Sequence, residues 1–151
     1  MFRNSVVAVL AFGLFMSGAA TRAAMAEEPL APMDRYVLTG VYNEMVTCFA
    51  FVTIVSTVAK TEGDTETQQH YQDQGFTFMQ GYEFFGGKIG KTSTELSSEV
   101  AAAIMSMHEK SGKLTNTLPM KVVYNERCTN LKTDPKPTMM EYITKYQNGA
   151  R

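Results

Sequence analysis

Apolar and small residues recur at Val37, Val41, Met45 (with Glu44 as the alternative in that turn), Cys48, Val52, Val55 and Ala59. Steps of three and four keep these positions on one side of a helix. Tyr42, Phe49, Phe51 and Ile54 widen the apolar surface, so this helix is expected at the centre of the fold. Val52-Thr53-Ile54-Val55 would also suit a strand, but the helical period persists for more than 20 residues, longer than ordinary strands. Ahead of it, Pro29 and Pro32 read as an irregular lead-in, with Asp34 as the expected cap. Behind it, Lys60 to Thr67 is polar, holds Gly63 and Asp64, and reads as a turn.

A second stripe runs through Tyr71, Gly75, Phe78, Tyr82, Phe85 and Ile89. Gly86 and Gly87 are placed to end that helix, because glycine adopts the left-handed backbone that closes helices. Thr92 and Glu95 form a capping box, and Leu96, Val100, Ala103 and Met107 follow as a third stripe, giving a helix over 93–111 that Lys110 and Gly112 finish. Pro119 fits the first turn of a fourth helix with Val122, Asn125, Cys128 and Leu131 inward and Tyr124 at the flank. Asp134-Pro135-Lys136-Pro137 ends it, and a short last helix starting at Pro137 or Thr138 carries Met140 and Ile143.

Four segments with one apolar stripe each can bury those stripes only against one another. The expected fold is all-α: a small four-helix antiparallel bundle with a short extra C-terminal helix and one disulfide. Cys48 and Cys128 both fall on inward positions, and a bridge between them would close a loop of about 80 residues. Such a loop gives ~4–5 kcal/mol in the chain-entropy model and 2–4 in typical measurements, a large share of a net stability of ~5–15 kcal/mol.

The first 26 residues are of another kind. Arg3 precedes an apolar run from Val6 to Ala20, and Ala24-Met25-Ala26 follows before Glu27-Glu28. A charged start, an apolar middle and a small-x-small exit make a cleavable secretory peptide, too short to span a bilayer as a helix. Residues 1–26 are therefore expected to be removed, leaving 27–151 as one exported, periplasmic domain. An oxidising compartment also suits the disulfide. Tyr42–Ala59 is interrupted by Asn43, Glu44, Thr47 and Ser56, so no stable membrane span is expected after cleavage. Loss of Arg3 and Arg22 leaves a net charge of about −3, with no basic stripe for nucleic acid.

Motifs that carry chemistry are sparse. Gly86-Gly87-Lys88-Ile89-Gly90-Lys91 lacks the order of a phosphate loop. There is no Cys-x-x-Cys and no His-Glu-x-x-His, and the two histidines are His70 and His108. Glu95 and Glu99, one helical turn apart, are the candidate pair for a carboxylate-dependent hydrolase. Met105 and His108 are the candidate ligands of a periplasmic copper carrier, since thioether and imidazole suit Cu(I). Neither matches the aromatic supply on the second helix. Phe76, Phe78, Tyr82, Phe84 and Phe85 exceed what one stripe can bury, and mark the expected binding surface or inter-helix groove. The functional expectation is a non-enzymatic binding module without a cofactor, whose partner is a second copy, another protein or a small hydrophobic ligand.

Overall fold

In the computed structural model, residues 29–111 and 117–150 are described, and the expected export segment, 1–26, lies outside them. Among the described residues five helices follow one another: α1 (Pro32–Glu62), α2 (Thr65–Lys88), α3 (Ser93–Ser111), α4 (Leu118–Thr133) and α5 (Lys136–Gln147). Helix makes up 87% of the described residues and none of them is in a strand, which settles the strand alternative at Val52–Val55.

α1 is the hub, and each of the other four helices packs against it. Val37, Val41, Met45, Cys48, Val52, Val55 and Ala59 are all buried, and Tyr42, Phe51 and Ile54 join them. Each large apolar side chain buried in this way stabilises the fold by roughly 1.5–3 kcal/mol. Among the described residues, α1 alone has the length and apolar character of a membrane-crossing helix, correcting the expectation that Asn43, Glu44, Thr47 and Ser56 disqualify it. Its most apolar stretch is 61% buried, so other helices already cover much of that surface.

Tyr71, Gly75, Phe78 and Phe85 of α2 are buried, while Tyr82 and Ile89 are half-buried at its edge. Leu96, Val100 and Met107 of α3 enter the same core. The disulfide joins Cys48 to Cys128, with Cα atoms 5.5 Å apart, and fastens α1 to α4 inside that core. Two polar ties complement it. The Tyr42 hydroxyl donates to Glu99 at 2.8 Å, and the Tyr71 hydroxyl donates to Asn125 at 3.2 Å.

The helix ends obey local chemistry. The Thr92–Glu95 capping box forms in both directions: Thr92 N–H donates to Glu95 at 2.7 Å, and Glu95 N–H donates to the Thr92 hydroxyl at 3.3 Å. α1 begins at Pro32 after Ala31, not at an Asp34 cap, and Asp34 lies in the first turn. The turn expected over 60–67 shrinks to Gly63 and Asp64, since Asp64 caps α2 by accepting from Thr67 N–H. α2 runs on to Lys88 rather than stopping at Phe85–Gly87. Gly90, at φ +84°, supplies the left-handed residue, and Gly90 and Lys91 N–H donate to the carbonyls of Gly87 and Gly86. Gly86 is helical and serves packing, because a methyl group there would overlap Leu96.

α4 departs from expectation in phase. Val122 is 78% exposed, and Asn125 is exposed too. Met120, Cys128 and Leu131 face the core, with Tyr124 packed against it. The steps 120–124–128–131 are as regular as those expected through Val122, but rotated to the neighbouring side of the helix.

Candidate functional site

An apolar recess, a cleft of about 550 Å³, lies between the N-terminal half of α1 and α5. α1 contributes two rows of four-residue spacing, Pro32–Tyr36–Gly40 and Arg35–Thr39–Asn43. One row is apolar and the other carries polar heads, so the helix presents an amphipathic wall. α5 contributes Tyr142 and Tyr146, one turn apart. The Tyr36 ring lies 6.0 Å from that of Tyr142, at an interplanar angle of 65°, and 5.6 Å from that of Tyr146. These are the separations of attractive tilted and edge-to-face aromatic pairs.

Local sequence places α5 there. After α4, the Asp134 carboxylate accepts from Lys136 N–H at 2.9 Å, and Pro137 occupies the first turn of the new helix. The helix can then approach α1 closely because residue 40 is glycine, where a methyl group would overlap the Tyr142 ring. Tyr142 is held at its tip as well. Its hydroxyl donates to Glu44 at 2.9 Å, and Glu44 also accepts from Arg127 Nε at 2.7 Å and from Arg127 Nη2. One carboxylate thus joins α1, α4 and α5. Burial, reinforced by the hydrogen bond to Glu44, pushes the Tyr142 phenol up to about 12.

The polar groups around the cleft differ in their engagement. Lys145 pairs with Glu141 at 2.6 Å and sits 4.7 Å from the centre of the Tyr142 ring. Arg35, by contrast, makes no ion pair among the described residues, and the side chains of Tyr36, Thr39, Asn43 and Tyr146 make no hydrogen bond among them. The cleft combines aromatic faces with unengaged donors at its edge. That chemistry suits holding and orienting a molecule; among the described residues no nucleophile–base pair lines it.

The aromatic residues singled out from the sequence separate into three groups. Phe78 and Phe85 are in the core. Tyr82 is half-buried and meets Phe49 edge to face at 5.3 Å. Phe76 and Phe84 are 58% and 59% exposed. Phe76 borders a smaller hollow of about 280 Å³ with Phe49, Val52 and Met79, whereas Phe84 lies against Phe85 with Lys88 above it. The five do not meet in one groove.

Met105 and His108 are both exposed on α3, with Met107 turned into the core between them. Among the described residues no three His, Cys, Asp or Glu side chains gather as a metal site. Glu95 and Glu99 serve separate structural partners. The Thr92 N–H and hydroxyl hold the Glu95 carboxyl below its ordinary range, and Lys91, with help from Tyr42, does the same for Glu99. A general acid needs the opposite shift.

Tyr36, Gly40, Tyr142 and Tyr146 were not legible as a site because the first two lie more than 100 positions ahead of the other two in the chain. Two signals pointed toward it: a glycine amid the bulky residues of a long helix, and tyrosines spaced by four at 142 and 146. No protein-family model, characterised protein or solved structure matches this chain.

Proposed function

We propose that this protein is an exported, non-enzymatic binding module that holds a small ligand in the tyrosine cleft between α1 and α5. The observation that carries the reading is the cleft itself: about 550 Å³, three tyrosines and one row of unengaged polar side chains. Ligand sites typically measure roughly 300–1,000 Å³ and pair an apolar lining with a few polar groups that fix orientation. The support beneath Tyr142 strengthens it, since Gly40 seats the ring and the Glu44–Arg127 pair fixes its hydroxyl. A wall held from two sides loses little entropy when a ligand settles on it.

The rest of the proposal follows from the sequence and the bridge. Residues 1–26 direct export and are removed near Ala26, and the periplasm keeps Cys48–Cys128 oxidised. The first four helices form an antiparallel bundle, and α5 lies along the N-terminal half of α1 to make the cleft. Exposed Phe76 and Phe84 favour a second reading, in which the outer side of α2 meets another protein or a second copy.

Heteronuclear NMR of the oxidised 27–151 chain, titrated with a panel of small aromatic and aliphatic compounds, tests the proposal. Shifts concentrated at residues 32–43 and 142–146 are expected for aromatic members. Shifts confined to Phe76 and Phe84, or none at all, would defeat it.

A further inference from the structure

Resting on the reading of the cleft as the ligand site, we infer that its ligand is a planar aromatic anion, with the ring system among the tyrosines and its carboxylate at Arg35.

The two rows of α1 carry the argument. Pro32, Tyr36 and Gly40 offer an apolar strip that continues onto Tyr142 and Tyr146, a surface made for a flat, polarisable body. The adjoining strip is Arg35, Thr39 and Asn43, whose heads can donate hydrogen bonds. A molecule lying along the groove therefore meets rings on one side and donors on the other. The end at Arg35 is positively biased. Arg35 has no ion-pair partner among the described residues and sits in the first turn of α1, where the helix dipole also favours negative charge. Asp34 belongs to the same turn but is not among the residues that line the cleft, and Lys145, over the Tyr142 ring, is already matched by Glu141. Among the described residues that line the cleft, the one uncommitted charge is positive. Guanidinium groups bind carboxylates in a planar, two-point fashion, so the ligand's flat body and flat anion can share one plane.

Other surfaces carry less. The hollow beside Phe76 has no charged side chain among the described residues of its lining, and nothing there selects one occupant. The groove at Val122 and Val123 on α4 has both Glu126 and Glu141 and Arg127 at its edge, so its charge points to no particular partner.

Isothermal titration calorimetry of the oxidised chain with 2-naphthoate and with 2-naphthylmethanol tests the inference, because the two probes share their rings and differ in charge. Naphthoate should bind tighter by about tenfold, as expected for one charge-assisted contact at a solvent-open rim. Arg35→Gln should bring the two affinities together, Tyr146→Ala should weaken both, and Phe76→Ser should change neither. Equal affinities in the unaltered protein, with cleft resonances moving for both probes, would overturn the anion assignment and leave the cleft as the binding site. A preference for naphthoate that survives Arg35→Gln would overturn it as well. No saturable binding of naphthoate overturns it whatever the compound panel shows, and silence of that panel as well removes the cleft reading.

Discussion

Replacing Gly40 by alanine adds one methyl group at the point where α5 crosses α1. In an unobstructed helix this change is favourable by about 1 kcal/mol, since alanine loses less backbone freedom than glycine. Here the new carbon would overlap the Tyr142 ring, on the ring's face rather than at the end of a flexible chain. Tyr142 cannot yield freely, because its hydroxyl is tied to Glu44 and Glu44 is tied to Arg127. Overpacking costs about 1–3 kcal/mol, and loss of the Tyr142–Glu44 bond adds roughly 0.5–1.5. Set against the helical gain, the expected net loss is about 0.5–3.5 kcal/mol, a fall in Tm of roughly 2–13 °C for a domain of this size. Urea unfolding followed by circular dichroism measures it. Gly87→Ala is the matched control, because no atom lies near the added methyl, and it should leave stability unchanged or slightly raised. In a Tyr142→Ala background the Gly40→Ala penalty should disappear, which isolates the ring as its cause. If Gly40→Ala alone raises the midpoint as Gly87→Ala does, α5 does not rest on α1 as described, and the cleft loses one wall.

Three further outcomes are expected. Glu99 has a depressed pKa in the fold, so its contribution is present above its ordinary value of 4.5 and is lost as pH falls through the folded value; Glu99→Gln should flatten that acid limb of a stability–pH profile. Tyr142 is shifted the other way, so its contribution is complete below pH 10 and declines as pH rises towards about 12; Tyr142→Phe should remove that alkaline loss, at a cost near neutrality of about 0.5–1.5 kcal/mol. Val122→Asp, at an exposed site, should alter stability by less than about 0.5 kcal/mol, while Met120→Asp should cost several times more by placing a charge in the core; equal effects would return α4 to the phase read from its sequence.

The difference between α4 and the longer helices shows where sequence periodicity suffices. In α1 and α3 the inward stripes are bordered by enough polar residues, or extended over enough turns, that only one side can face the core. α4 is short and offers two candidate sides, Val122–Asn125 and Met120–Tyr124. The choice falls to Tyr71, whose bond to Asn125 uses that residue at the surface edge rather than inside. Cys48 and Cys128 were legible because both readings of α4 keep Cys128 inward. The aromatic group on α2 was legible as an excess but not as a place. Spacing distributes Phe78 and Phe85 to the core and Phe76 and Phe84 to solvent, and the density of rings along the chain hides that division. The cleft depends on a reversal at Asp134–Pro135 that sends α5 back to the start of α1, a long-range placement that local pattern cannot specify.

Two double variants decide most directly whether ligand binding resides between α1 and α5. The affinity of the tightest compound found for this protein should be measured after Tyr36→Ala with Tyr146→Ala, and separately after Phe76→Ala with Phe84→Ala. A loss of binding in the tyrosine pair, with the phenylalanine pair unchanged, is the predicted result; the reverse pattern would contradict the account and move the site to the outer side of α2.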